Sequence, residues 1–248
     1  MSFQTELVDA LYVNWAVPRE LLPTPPAALE LESVLDGGRT LAFVTLVLFR
    51  QHGLRHGRWP WVRLGFPQCN LRLPVRDAER VASHWLLHQL VPAWAVPLGR
   101  WVGRQPVSGA ILRGRPARDV EGGWTWEVLA GTRLALRAWP AAGATAAPRL
   151  GDWSRTVAFF RERPRAFVGT GPRLARLDAS IDRAEALPLA VEVECADWLR
   201  LHLPGVAAES WSAPHCAFLV PSTRLEIERT EAPAPAIPAR VPAASLPA

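Results

Sequence analysis

Hydrophobic and polar positions alternate with a period of two through most of this chain, which predicts many strands and few helices. The most telling stretch is Leu64 to Val75, LGFPQCNLRLPV. Alternation places Gln68, Asn70 and Arg72 on one face and Cys69, Leu71 and Leu73 on the other. A row of two amides and a guanidinium is unusual inside a β-rich domain. It marks either a solvated edge or the lining of a polar cavity.

The pattern continues in both directions. Leu7 to Val17 reads as a strand carrying Tyr12, Asn14 and Trp15. Val17 to Leu22 suggests a short helix with Pro18 in its first turn, stopped by Pro23, Pro25 and Pro26. Leu29 to Val34 is a short alternating strand, and Asp36-Gly37-Gly38 is a turn signal. Arg39 to Arg50, rich in β-branched residues, reads as a central strand. Residues 51–63, QHGLRHGRWPWVR, read as a basic, aromatic loop.

Val81 to Leu90 fits a helix or a strand, and either places His84 and His88 on one face. A helix sets them one turn apart; a strand sets them about 13 Å apart, too far to share one ion. Pro92 to Val102 is helical in part, and Pro106 to Leu112 is a strand. Trp124–Leu129 and Arg133–Trp139 form a hairpin around Gly131. Asp152 is placed to cap a helix over Trp153–Arg161.

Arg165 to Leu177 holds two short strands around Gly169-Thr170-Gly171. In Leu187 to Cys195, Glu192 and Glu194 lie opposite Val191 and Val193, more as the wet face of a sheet than as an acid–base pair. Trp198 to Leu203 is a short turn or helix, and Ala217–Val220 with Thr223–Glu228 are the last strands. Residues 1–231 are expected to form one domain. Beyond Glu231 the chain is low-complexity Pro/Ala and is expected to be a disordered tail, 232–248. The fold class is α+β and mostly β, around a curved sheet or barrel.

Charge and composition sharpen this. All 28 basic residues are arginine, so no side-chain amine is available for a Schiff base. Residues 1–36 carry one Arg against six acids, and residues 37–118 carry thirteen Arg against Asp77 and Glu79. A basic middle third suits an anionic ligand or an acidic partner, or is a solvated face balanced by the acidic start.

Interleaved Arg and Trp in 51–63 can stack bases or cover a pocket mouth; one such loop without a known motif argues against a nucleic-acid module. The three cysteines have no metal-ligand spacing, and no third ligand joins the histidines, so no metal and no cofactor is expected. Reduced thiols, no basic leader and no long apolar run point to a cytoplasmic protein without a membrane span. Association into a homo-oligomer stays open.

Three stretches then carry a resemblance: Asn14-Trp15-Ala16-Val17-Pro18-Arg19-Glu20-Leu21-Leu22, Leu29-Glu30-Leu31, and Phe66-Pro67-Gln68-Cys69-Asn70-Leu71-Arg72. Together they resemble the bacterial family called domain of unknown function 2071, grouped with acetoacetate decarboxylase. The ending, Leu187–Glu194 followed by His215–Arg229, is similar to that family's last strands, so the likeness runs through residues 7–229.

The resemblance implies a cone-like, double-layered β-barrel around an internal cavity with helices outside. It also implies a cavity lysine acting as Schiff-base nucleophile in the decarboxylase relatives. Here Leu98-Gly99-Arg100 stands where that lysine is expected, and arginine cannot form the imine. Gln68 stands where the family pattern usually has glutamate.

Two functions follow. One is a non-catalytic binder of a small, acidic or carbonyl compound, with Gln68, Asn70, Arg72 and Asn14 as polar anchors. The other is a lysine-independent lyase or isomerase, with His84, His88 or Glu127 as acid or base and Arg72 stabilising negative charge.

Overall fold

The computed structural model describes residues 2–102, 105, 107–117, 121–143, 150–169 and 174–231. The expected tail, and Thr170 and Gly171 of the Gly169-Thr170-Gly171 stretch, lie outside the described residues. In chain order the strands are β1 (Ser2–Pro18), β2 (Leu29–Leu31), β3 (Ser33–Asp36), β4 (Arg39–His56), β5 (Trp59–Asp77), β6 (Ala82–Val91) and β7 (Val107–Gly109). Then come β8 (Ile111–Pro116), β9 (Trp124–Ala130), β10 (Thr132–Pro140), helix α1 (Trp153–Arg161), β11 (Arg165–Val168) and β12 (Ala175–Ile181). The last described elements are β13 (Leu187–Cys195), helix α2 (Asp197–His202) and β14 (Cys216–Glu231).

Strand pairing runs β1–β4–β5–β6–β11–β12–β14, and β14 pairs back onto β1, so the hydrogen-bonded path returns to its start. Only the β6–β11 contact in this ring is parallel. A strip, β13–β10–β9–β8, continues from β14. The strip and α2 pack on the outer face of the ring, where Leu11, Leu46, Leu71, Trp126, Leu134 and Trp198 share the largest core cluster. Fully burying side chains of this size contributes about 1.5–3 kcal/mol each, so this seam holds strip and ring together.

Local chemistry explains most of the elements. Gly37 and Gly38, both with positive φ, make the two-residue turn from β3 into β4. Asp152 caps α1 by accepting a hydrogen bond from the Arg155 N–H at 2.8 Å. Glu192 and Glu194 on β13 are exposed, while Val191 and Val193 pack on the main core.

The stretch 81–90 is a strand. Residues 51–63 are no loop: β4 runs on to His56, the chain reverses over Gly57-Arg58, and His56 pairs with Trp59 at the start of β5. A bulge at Gly53, whose φ is +64°, carries β4 past the glycine that suggested a break. The two expected final strands are one, β14.

Candidate functional site: a guanidinium-floored cavity

Inside the ring lies a cavity of about 260 Å³. Strand β5 shows how it is built. Its even-numbered residues Leu64, Phe66, Gln68, Asn70 and Arg72 line the cavity, while Cys69, Leu71 and Leu73 face the outer core. The alternating row of the sequence is therefore an interior wall.

Helix α1 closes one end of the ring. Phe160 packs with Tyr12, Phe43 and Phe218 in a second apolar cluster. The C-terminal turn of α1 brings carbonyl oxygens, with the negative end of the helix dipole, to the cavity floor. Arginines meet them. Arg72 donates from Nη2 to the Phe160 carbonyl at 2.9 Å. Arg163 donates from Nε to the Phe159 carbonyl at 2.7 Å and packs on the Phe159 ring.

Among the described residues three guanidiniums border the cavity and no carboxylate lines it. Arg163 is paired with Glu32, which lies outside the lining. Burial lowers the Arg163 guanidinium to about 10, against the opposing pull of Glu32, so it stays charged at neutral pH. Arg161 donates to the Asp182 carbonyl and to the Thr223 hydroxyl. Among the described residues Arg72 has no carboxylate partner, and its Nη2 donates to the Phe160 carbonyl. Burial pulls its pKa down, partly offset by Tyr12, whose ring centroid lies 5.2 Å from Cζ.

Several buried polar atoms in the lining have no hydrogen-bond partner: Nε of Arg72, Nε of Arg161, Nε2 of Gln89, Oε1 of Gln51 and both ring nitrogens of His84. Unpaired buried groups are uncommon and each calls for a partner such as a ligand or water. The surplus is mostly of donors. The amides between them are largely satisfied: Gln51 donates to Gln68, and Gln68 donates to Asn70 at 2.8 Å.

His84 reaches the same floor. Burial holds its pKa well below the ordinary histidine value, and the Arg72 and Arg163 cations add to this. The Phe160 carbonyl, not placed for a hydrogen bond, acts the other way. The ring is therefore neutral in the empty cavity, with one N–H to give and one lone pair to accept.

The other sequence candidates fall elsewhere. Asn14 is buried, but its amide donates to the Cys216 carbonyl at 3.4 Å and it does not line the cavity. Its strand position is level with Thr45 and Arg72, at the closed end. Glu127 sits on β9, in the outer strip, between Arg113 at 3.4 Å and Arg133 at 3.0 Å.

His88 does not share a face with His84. Leu71 pairs with His88 but Arg72 pairs with Leu86, so β6 holds an extra residue and its facing reverses. His88 instead lies on the outer side against His202, ring centroids 3.8 Å apart, and burial lowers its pKa to about 4. Sequence reading also missed Arg161 and Arg163. The signal was an Arg-x-Arg at the end of a capped helix, where cations suit the dipole.

Among the described residues no group of three or more His, Cys, Asp or Glu is placed to hold a metal ion. Among the described residues no helix is long and apolar enough to cross a membrane. Cys69 and Cys216 are buried free thiols; burial pushes Cys216 up to about 12.

A family model described as an uncharacterized conserved protein matches residues 4–217. Among solved structures the chain is similar to an acetoacetate decarboxylase-like enzyme from Sphingomonas wittichii RW1, at 16% identity and TM-score 0.56, covering 94% of each chain. It is also similar to the enduracididine biosynthesis enzyme MppR complexed with pyruvate, at 15% identity and TM-score 0.57, covering 93% of this chain and 89% of that one. The same enzyme with the condensation product of pyruvate and imidazole 4-carboxaldehyde gives 13% identity and TM-score 0.51, covering 93% and 87%. At these identities the likeness concerns the fold. A comparison with curated proteins finds no match.

Proposed function

This chain belongs to the family of uncharacterized conserved proteins called domain of unknown function 2071, and from that premise we propose that it binds a small anionic molecule in its interior cavity. The ring and its outer strip are read as the double-layered, cone-like barrel of the acetoacetate decarboxylase group, kept without the amine that makes an imine. The observation that carries the reading is the floor. Arg72 and Arg161 both line the cavity and each carries a buried Nε–H without a hydrogen-bond partner, and among the described residues no carboxylate lines that space. A carboxylate there accepts those donors, and a cation would add to the charge already buried.

Arg72 is the principal anchor, because Arg163 already has Glu32. Gln68 and Asn70 supply amides along the wall, and His84 gives a neutral N–H. Pyruvate, bound by a structural neighbour, is a ligand of the right class. Titration with pyruvate and butyrate against butylamine and n-butanol tests the proposal. The acids bind and the amine and alcohol do not; equal affinities for all four overturn it.

A second reading has one observation of its own. His84 shares the floor with Arg72 and has both ring nitrogens free of hydrogen bonds. A bound carbonyl acid would sit between a base and a cation that stabilises developing negative charge. His88 and Glu127 lie outside the cavity, so this enzyme reading depends on His84 alone. Deuterium exchange at the carbon next to the carbonyl of pyruvate, followed by NMR, separates the readings: exchange lost in His84→Gln supports catalysis.

A further inference from the structure

The shape and polarity of the cavity narrow the ligand further, on the premise of the anion reading above. Strand register orders the cavity in layers. Phe3, His56 and Trp59 stand level at one end, and Leu54 stands level with Leu64 below them. Next come Leu7, Gln51 and Phe66, then Tyr12, Val47, Asn70 and Gln89, and last Arg72 with Leu86. The end at Trp59 is open: Trp59 and Val62 are 48% and 45% exposed, and Leu98 is 37% exposed beside them. The end at Arg72 is closed by α1.

Polarity follows the same axis. The charged groups Arg72 and Arg163 and the neutral His84 gather at the closed floor, and Arg161 lines the cavity beside Thr223. The mouth is mainly apolar. Among the described residues, β12 and β14 contribute only Leu177, Ala179, Ile181, Leu225 and Ile227 to the cavity lining, all apolar. A small, wholly polar acid would leave this wall against water. An acid with an apolar body would cover it.

We infer that the ligand is a monocarboxylate with an apolar tail, its carboxylate on the Arg72 floor and its tail against the β12–β14 wall, pointing to the Trp59 mouth. The volume limits the tail. At about 30 Å³ for each water-sized group, a cavity of about 260 Å³ holds roughly nine such groups. That corresponds to a straight acid of roughly six to eight carbons, and a longer one emerges past Trp59.

Calorimetric titration of the full chain with acetate, butyrate, hexanoate, octanoate and decanoate tests this, with 1-octanol as the headless control. Affinity should rise about fourfold per added methylene, level off near eight carbons, and be far weaker for 1-octanol. Arg72→Met should weaken every acid by a similar factor. Leu64→Trp, which narrows the cavity at the mouth level, should weaken octanoate and spare acetate.

Equal affinity for all chain lengths, with Arg72 still required, overturns the tail and leaves anion binding intact. A chain-length rise that 1-octanol shares and Arg72→Met does not diminish overturns the anion reading itself. Absence of binding by every acid overturns both.

Discussion

Replacing Arg72 by methionine separates two roles that one guanidinium plays. It keeps much of the stem volume and removes the cation. The folded state loses the hydrogen bond to the Phe160 carbonyl at 2.9 Å and the contact with the Tyr12 ring at 5.2 Å. A hydrogen bond to a charged group is worth about 1.5–3 kcal/mol, and a cation over an aromatic ring about 0.5–2 kcal/mol. Against these stands the penalty of a buried guanidinium without a carboxylate, several kcal/mol after relaxation.

The two sides cancel to within about 2 kcal/mol, so the melting temperature should move by no more than roughly 8 °C in either direction. Anion binding has no such compensation. Losing the charged partner of a buried carboxylate costs about 2–5 kcal/mol, or about 30- to 5,000-fold in affinity. Urea unfolding and butyrate titration on the same preparations measure both. A variant that loses more than about 3 kcal/mol of stability while binding butyrate unchanged would refute the reasoning. Arg72 would then be a cap for the end of α1 and no ligand anchor.

Three further outcomes follow from the same structure. His84 is neutral when folded and protonates near pH 6.5 when unfolded, so the unfolded state binds more protons below that pH. Its contribution to stability is full above pH 6.5 and is lost on acidification; denaturant melts from pH 7 to 5 should show His84→Leu reducing the average slope by about 1 kcal/mol per pH unit. Leu71→Ala opens a void on the outer face of β5, so it should cost about 2–5 kcal/mol in urea unfolding and leave butyrate affinity unchanged. Asp152→Ala removes the cap of α1 and should cost about 1 kcal/mol by the same unfolding assay.

Much of the wall of the site was legible in the sequence, because the β period of two is simple to read. Gln68, Asn70 and Arg72 sort to one face of β5 on alternation alone. What stayed hidden depends on breaks in that period. The extra residue in β6 turns His88 away from His84, and no local signal marks it. Gly53 suggested a loop where it makes a bulge, because a glycine with positive φ serves either. A second limit is which sheet segment a strand joins. Glu127 lies on a well-predicted hairpin, yet that hairpin belongs to the outer strip, which only tertiary pairing decides. The floor arginines depend on where α1 docks, so their helix was foreseeable and their place was not.

A crystal structure of the protein soaked with butyrate reaches the central claim most directly. The carboxylate is expected in the ring interior, accepting hydrogen bonds from the Nε–H of Arg72 at about 2.9 Å, with the alkyl chain turned from α1. Butyrate bound only outside the ring, or an interior carboxylate that leaves the Arg72 Nε–H unpaired, would contradict the account.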